Sequence, residues 1–320
     1  MRKIITILSV TFKEMIRQPA YSIILYLSAL MIYISPWFSM FTLLNSTKLV
    51  RDMGLASVLM ASILIASFSA SGLVFREIEN KTALTILSKP IYRIQFLIGK
   101  YLGLLAGIFL AVLQLTIFLI LTMRMGVPES LHVILDKSVI YGINGIFVSS
   151  IIVAALLNYF FRKTFTSSLV ITLFSLLIIV FSILCFVDSQ LHAQPFAQNM
   201  DLRLFKAGLL IFMGMSIITS IALLGSIRFN MVANLIFCLA VFFITMTSDY
   251  FFGRSAGGNI LSHGLYLIVP NLQFFWVADA FLNNKTIPLN YMLLTVLYTV
   301  NCVVCILTLS WILFKDREIA

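Results

Sequence analysis

The chain has 320 residues, of which 61% are apolar and only 11% charged, with a mean hydropathy of +1.06. An ordinary soluble domain carries about 25% charged residues. One domain cannot hide that much apolar surface from water, which excludes the soluble, disordered, collagen-like and disulfide-stapled classes and leaves an integral membrane protein. The formal charge of +10, from 22 Lys and Arg against 12 Asp and Glu, fits basic residues that flank apolar spans and meet anionic lipid. No basic stretch is interleaved with aromatics, so nucleic acid is not an expected partner and membrane lipids are.

Arg2 and Lys3 precede an apolar patch, Ile4 to Val10, that runs straight into Lys13, Glu14 and Arg17. The patch is too short for a signal peptide and has no small-residue cleavage site, so the chain is expected to keep it. At helical spacing Ile4, Ile5, Leu8, Phe12, Met15 and Ile16 share a face opposite Lys3, Lys13 and Arg17, and Pro19 ends the pattern. Residues 1–19 therefore read as a helix lying in the inner membrane interface.

Eight uncharged stretches follow, each long enough to cross a hydrocarbon core that needs about 20 helical residues. They are 20–44, 55–74, 101–123, 138–161, 164–187, 207–227, 229–248 and 289–314. With the N-terminus inside, the inner segments hold fourteen of the 22 Lys and Arg and the outer segments the other eight. Basic residues are retained on the cytoplasmic side, so both termini are expected there. The stretch 255–278, within an outer loop 253–288, is also uncharged but is broken by Gly257, Gly258, Gly264, Pro270 and Asn271. Broken backbone at membrane depth must be buried in protein or line a cavity, so it reads as an outer re-entrant or interfacial hairpin, with Phe274, Phe275 and Trp276 suited to the interface. The expected architecture is an all-α polytopic membrane protein, a single domain over 1–320 with about eight transmembrane helices, in the cell membrane.

All twelve acids, and every Lys, Arg and His, lie outside the middles of these spans. Proton pumps, voltage sensors and most ion-coupled carriers need ionisable groups or unwound helices at that depth, so a sodium-coupled carrier is disfavoured. No clustered acids, H-E-x-x-H pair or serine with a base is present, which leaves no catalytic or metal site, no cofactor and no enzyme activity on this chain. His132, His192 and His263 read as solvated loop residues, and Cys185, Cys238, Cys302 and Cys305 as small hydrophobes inside apolar runs. The C-x-x-C spacing of Cys302 and Cys305 fits one packed helix face better than a ligand set. With no G-x-x-x-x-G-K-[ST] loop, any ATPase must be a separate chain. Gly103 and Gly107, and Ser62, Ala66 and Ala70, permit close helix approach, while Gln114, Asn144, Asn158, Asn234 and Asn301 are candidates for hydrogen bonds between helices.

The inner loop 76–100 holds the largest group of basic residues. Asn80 or Thr82 would cap a short helix through Leu87 that Pro90 ends, with Ala83, Leu84 and Leu87 forming an apolar patch among charges. Such a patch suits a partner's groove, and periodicity alone fits a helix floating on lipid head groups as well. The stretch Arg76-Glu77-Ile78-Glu79, Thr82, Leu87-Ser88-Lys89-Pro90, Phe96 and Gly99-Lys100-Tyr101-Leu102-Gly103 resembles the loop between the second and third spans of type 2 ABC exporter permeases. Weaker likenesses cover the N-terminal helix, Asn230 to Asp249, Pro270 to Asp279 and Arg317-Glu318. The resemblance implies a half-transporter: two permease copies, identical or paired with a relative, moved by cytoplasmic ABC ATPase subunits through a coupling helix in this loop. Glu77, Glu79, Thr82, Leu84, Leu87, Lys89 and Arg93 would then carry the ATPase contact. The competing class is a non-transporting polytopic scaffold or assembly factor whose inner loop binds another cytosolic protein.

Overall fold

In lipid, a backbone group without an internal partner costs several kcal/mol, so charge-free apolar runs of this length close their hydrogen bonds within helices. The computed structural model describes residues 2–38, 46–75, 77, 92–126, 136–189, 192–197, 200–253, 264, 266, 269–278 and 287–316. Its helices are α1 (Arg2–Arg17), α2 (Pro19–Phe38), α3 (Ser46–Ala70, continued by a π-turn Ser71–Phe75), α4 (Arg93–Met125) and α5 (Lys137–Phe161). They continue with α6 (Phe165–Phe186), α7 (Leu204–Ser226), α8 (Met231–Met246, followed by a π-turn Asp249–Gly253) and α9 (Leu289–Asp316). A 3-10 turn, Leu272–Phe275, precedes α9. Among the described residues there is no strand, only an isolated bridge between Val187 and Ala193.

Among the described residues seven helices, α2 to α7 and α9, are long and apolar enough to cross a membrane. The expected span 229–248 is instead the shorter α8, whose 16 residues reach about 24 Å at 1.5 Å per residue, against a core of about 30 Å. Its regular pattern stops where the Thr247 N–H caps the Phe243 carbonyl. In the other direction, α3 and α4 begin before the uncharged windows at 55 and 101, at Ser46 and Arg93. Charges limit what lipid tolerates, but a helix can run on past the lipid when neighbouring helices pack along it.

Three helices form the centre. The apolar windows of α3, α4 and α7 are 72%, 72% and 78% buried, whereas those of α5, α6 and α9 are 28%, 33% and 17% buried. Gly54 of α3 lies against Leu119 of α4, Gly208 of α7 against Thr116 of α4, and the Tyr101 hydroxyl donates to the Ser216 carbonyl at 3.2 Å. Ser62, Ala66 and Ala70 are all fully buried on α3, as close packing of small residues requires. The α5–α6 pair forms a flanking hairpin held by Tyr26 and Ser150, which share a hydroxyl hydrogen bond, and by Gln114, which donates to the Val170 carbonyl at 3.4 Å. The tight turn places Arg162 in the left-handed region at φ 50, and Asn158 closes it by donating to the Lys163 carbonyl at 2.7 Å. Asn158 thus serves its own hairpin rather than a distant helix, while Asn144 and Asn301 are exposed. Tyr159, Phe160 and Phe161 end α5 with 80%, 69% and 69% exposure, the girdle of aromatics that a membrane boundary favours.

The N-terminal helix has a partner that the sequence did not name: α1 is seated along the start of α4 in a groove made by Gly99, Gly103 and Gly107. Ile7 and the Ile4 carbonyl meet Gly99, Thr11 and the Leu8 carbonyl meet Gly103, and Met15 meets Gly107. The contacts advance together along both helices, so α1 and α4 run in the same direction. Glycines at four-residue steps remove the side chains that would hold two backbones apart, and here the groove admits α1 rather than another span. The buried face is accordingly rotated from the one expected: Thr11, Met15 and Ile16 are buried, while Ile5 is 62% exposed.

Candidate functional site

Of the residues expected to contact an ATPase, Glu79, Thr82, Leu84, Leu87 and Lys89 lie outside the described residues. Glu77 and Arg93 lie within them, one on each side of that loop. Arg93 opens α4 and is exposed. Glu77 turns inward, and its Oε1 accepts from the Lys100 ammonium at 2.7 Å. Lys100 is 3% exposed and has Glu14 of α1 at 3.8 Å on another side. Its ammonium also stands 5.7 Å from the centre of the Phe96 ring, which stacks on Phe314 of α9 at 6.0 Å. One buried cation therefore gathers the segment after α3, the helix α1, and α4 with α9. A buried ammonium is tolerable only where carboxylates and a ring face replace its water. Burial is the larger influence on Glu77 and pushes its pKa above the ordinary glutamate value, with the Lys100 charge pulling it back.

Sequence reasoning placed Lys100 within the resembling stretch without giving it a role, and it missed Glu14. The pairing links residues 23 apart in one case and different helices in the other, so no local spacing announces it. The one available signal was that Lys100 sits directly against an apolar run, where a cation needs a partner.

Just above this cluster the chain between α3 and α4 leaves through the π-turn Ser71–Phe75. Asn234 of α8, fully buried, donates to the Ser71 hydroxyl at 2.8 Å, to the Ala222 carbonyl at 3.1 Å and to the Ser67 carbonyl at 3.4 Å. Its amide joins α3, α7 and α8 at the point where the π geometry shifts carbonyls out of the regular ladder. Gln18, the single residue between α1 and α2, presses against Gly72 in the same turn.

At the opposite end of the bundle one buried ion pair is structural. Arg124, 2% exposed, pairs with Asp136 at 3.0 Å and also donates to the Leu184 and Val187 carbonyls at the end of α6. Asp136 in turn caps α5 through the Ser138 and Val139 amides. Between these ends, the continuous described part of the expected hairpin, 269–278, lies against the middle of α7, where Phe275 packs on Gly214. Asn271, Leu272 and Phe275 are buried. The irregular backbone is satisfied largely by α9: the Asn271 N–H donates to the Tyr298 hydroxyl at 2.7 Å, Tyr291 donates to the Phe274 carbonyl, and the Asn271 side chain accepts from the Gln273 N–H at 2.9 Å.

Among the described residues no group of three or more His, Cys, Asp and Glu is placed to hold a metal. His192 is exposed, Cys302 is half-buried and Cys305 exposed, and His132 and His263 lie outside the described residues. The helices and their exposed apolar faces define a multi-pass α-helical membrane protein. Comparison with protein-family profiles, with curated proteins and with solved structures finds no match to this chain.

Proposed function

We propose that this chain is the membrane-spanning permease subunit of an ATP-binding cassette transporter of the exporter type, working as two permease copies driven by separate cytoplasmic ATPase subunits. The observation that carries the reading is the fastening of the loop 76–92 at its base. Glu77 on one side of the loop and α4 on the other meet at Lys100, and α1 is locked to the same site through Glu14 and the glycine groove. A loop that only floated on lipid would need no such foundation. A loop that receives force from a partner does, because displacement reaches the spans only through elements packed rigidly against it. The orientation that puts this end in the cytoplasm follows from the basic residues of the sequence, and the buried segment 269–278 then enters from the outer side as a re-entrant element, with α8 and its π-turn completing the eighth crossing. The middles of the spans carry no charged residue, which favours lipids, lipid-linked or amphipathic compounds as cargo.

The test is a mild-detergent pull-down of the tagged chain, with mass spectrometry for co-purifying chains that carry a Walker A loop. A stoichiometric ATPase is expected, lost when Leu84 and Leu87 are replaced by Asp, and weakened when the charges of Glu79 and Arg93 are reversed together. A permease recovered without any ATPase would instead support the polytopic scaffold.

A further inference from the structure

A groove of about 480 Å³ opens on the outside of the bundle between α1, α4 and α6, within the roughly 300–1,000 Å³ typical of small-molecule sites. Its apolar lining is Phe12 and Ile16 of α1, Leu110 of α4, and Ile171 and Phe174 of α6. Its mouth is polar: Lys13 and Arg17, one helical turn apart on α1, stand there beside Ser167. Both cations are exposed. Among the described residues neither side chain has a hydrogen bond or a carboxylate partner, although Glu14 lies between them in sequence and turns the other way to Lys100. The mouth is fixed in place, because the Thr166 hydroxyl donates to the Arg17 carbonyl at 2.8 Å and ties the end of α1 to the start of α6. The turn between α5 and α6 adds Arg162 and Lys163, both exposed, at that end of α6.

We propose that this groove holds an anionic phospholipid, its phosphodiester against Lys13, Arg17 and the Ser167 hydroxyl and one acyl chain along Leu110, Ile171 and Phe174. Two cations over an apolar slot match a molecule with an anionic head on an apolar tail, and the charge rules out a zwitterionic lipid as an equal occupant. Basic pockets between helices near the bilayer surface select anionic head groups in this way. The other described grooves lack the pattern: one against α5 and α6 has Lys137 alone, and one between α2 and the α5–α6 hairpin has no charged residue. The site stands on membrane insertion alone and does not depend on the ATPase reading. The lipid would bridge α1 to α6, so the seating of α1 on α4 would respond to the anionic lipid content of the leaflet.

Native mass spectrometry of the full chain, delipidated in detergent, tests this with phosphatidylglycerol, phosphatidylcholine and inorganic phosphate as probes. Phosphatidylglycerol is expected to be retained over phosphatidylcholine, and Lys13→Gln with Arg17→Gln to remove a preference on the order of thirtyfold, from about a fivefold effect per cation. Arg203→Gln with Arg228→Gln, which removes the same charge elsewhere, is expected to keep it. Ile171→Trp fills the slot without changing charge and is expected to abolish retention as well. Equal retention of the two lipids by the native chain, or an undiminished preference after the Lys13 and Arg17 substitutions, would overturn the site. Retention that survives Ile171→Trp, or retention of inorganic phosphate, would overturn the acyl slot and leave a bare anion contact.

Discussion

At the scale of single residues, Lys100 joins Glu77 and Glu14 at one buried point. Replacing it with Met leaves Glu77 facing an apolar wall, and losing one partner of a buried pair costs about 3 kcal/mol here, the low end because Glu14 is 42% exposed and keeps some water. Thermal unfolding in detergent should show Lys100→Met strongly destabilised and Lys100→Met with Glu77→Gln partly restored. The pH dependence has a definite sign. Burial raises the Glu77 pKa, so its contribution to stability is fully present below the ordinary glutamate value and is lost as pH rises through the raised native value. Acidification across that window should therefore stabilise the native chain relative to Glu77→Gln, which has no proton to gain; a difference that stays flat would show that the Lys100 charge cancels the effect of burial on Glu77. Arg162 offers a smaller test. Its φ of 50 is a position glycine adopts without strain, so Arg162→Gly should raise stability by roughly 0.5–1 kcal/mol in the same assay.

At the scale of elements, the seating of α1 on α4 depends on what is absent from three positions. A Cβ at Gly103 would stand 2.6 Å from the Thr11 Cβ and 2.9 Å from the Leu8 carbonyl oxygen. Neither atom can move without moving α1, so Gly103→Val should cost about 1–3 kcal/mol and expose α1 to protease. Gly107→Ala meets only the flexible side chain of Met15 and should be milder, and Gly145→Ala, with nothing within 4 Å inside α5, should be neutral to stabilising by up to about 1 kcal/mol. At the far end, Arg124 joins three helices. Arg124→Ala strands Asp136, of which 9% is exposed, and uncaps the end of α6, with an expected loss of about 3–5 kcal/mol. Arg124→Ala with Asp136→Ala should lose less than the two singles together, because one removed charge no longer strands the other.

At the scale of the whole molecule, a central trio is wrapped by helices that remain largely exposed. The outer faces of α5, α6 and α9 carry residues such as Tyr141, Ile179 and Leu297 at 73%, 53% and 68% exposure, far more apolar surface than a soluble monomer presents. Lipid covers such a face without a hydrophobic penalty, so specificity inside the bundle comes from glycine contacts and hydrogen bonds rather than from burial alone. That division explains why the far end is stapled by Arg124 and the near end by Lys100: each charge cluster fixes helix ends that the lipid-facing surfaces leave unconstrained.

The sequence by itself determined the solvent and the elements. Charge-free runs of some twenty residues must be helical in lipid, and seven of the eight windows read from charge alone correspond to helices of spanning length, with α8 as the shorter eighth. The amphipathic start of the chain was equally legible as a helix, since its period is local. Only the tertiary structure decided which faces meet. A helical period shows that α1 has an apolar side but not that its partner is a glycine groove on α4, because Gly99, Gly103 and Gly107 suit any close neighbour equally. Nor does spacing show that Lys100 gathers Glu14 and Glu77, that Asn234 spans three helices at a π-turn, or that Asn271 is satisfied by Tyr298. These are contacts between residues distant in the chain, and periodicity carries direction around one helix axis without carrying the identity of what stands opposite.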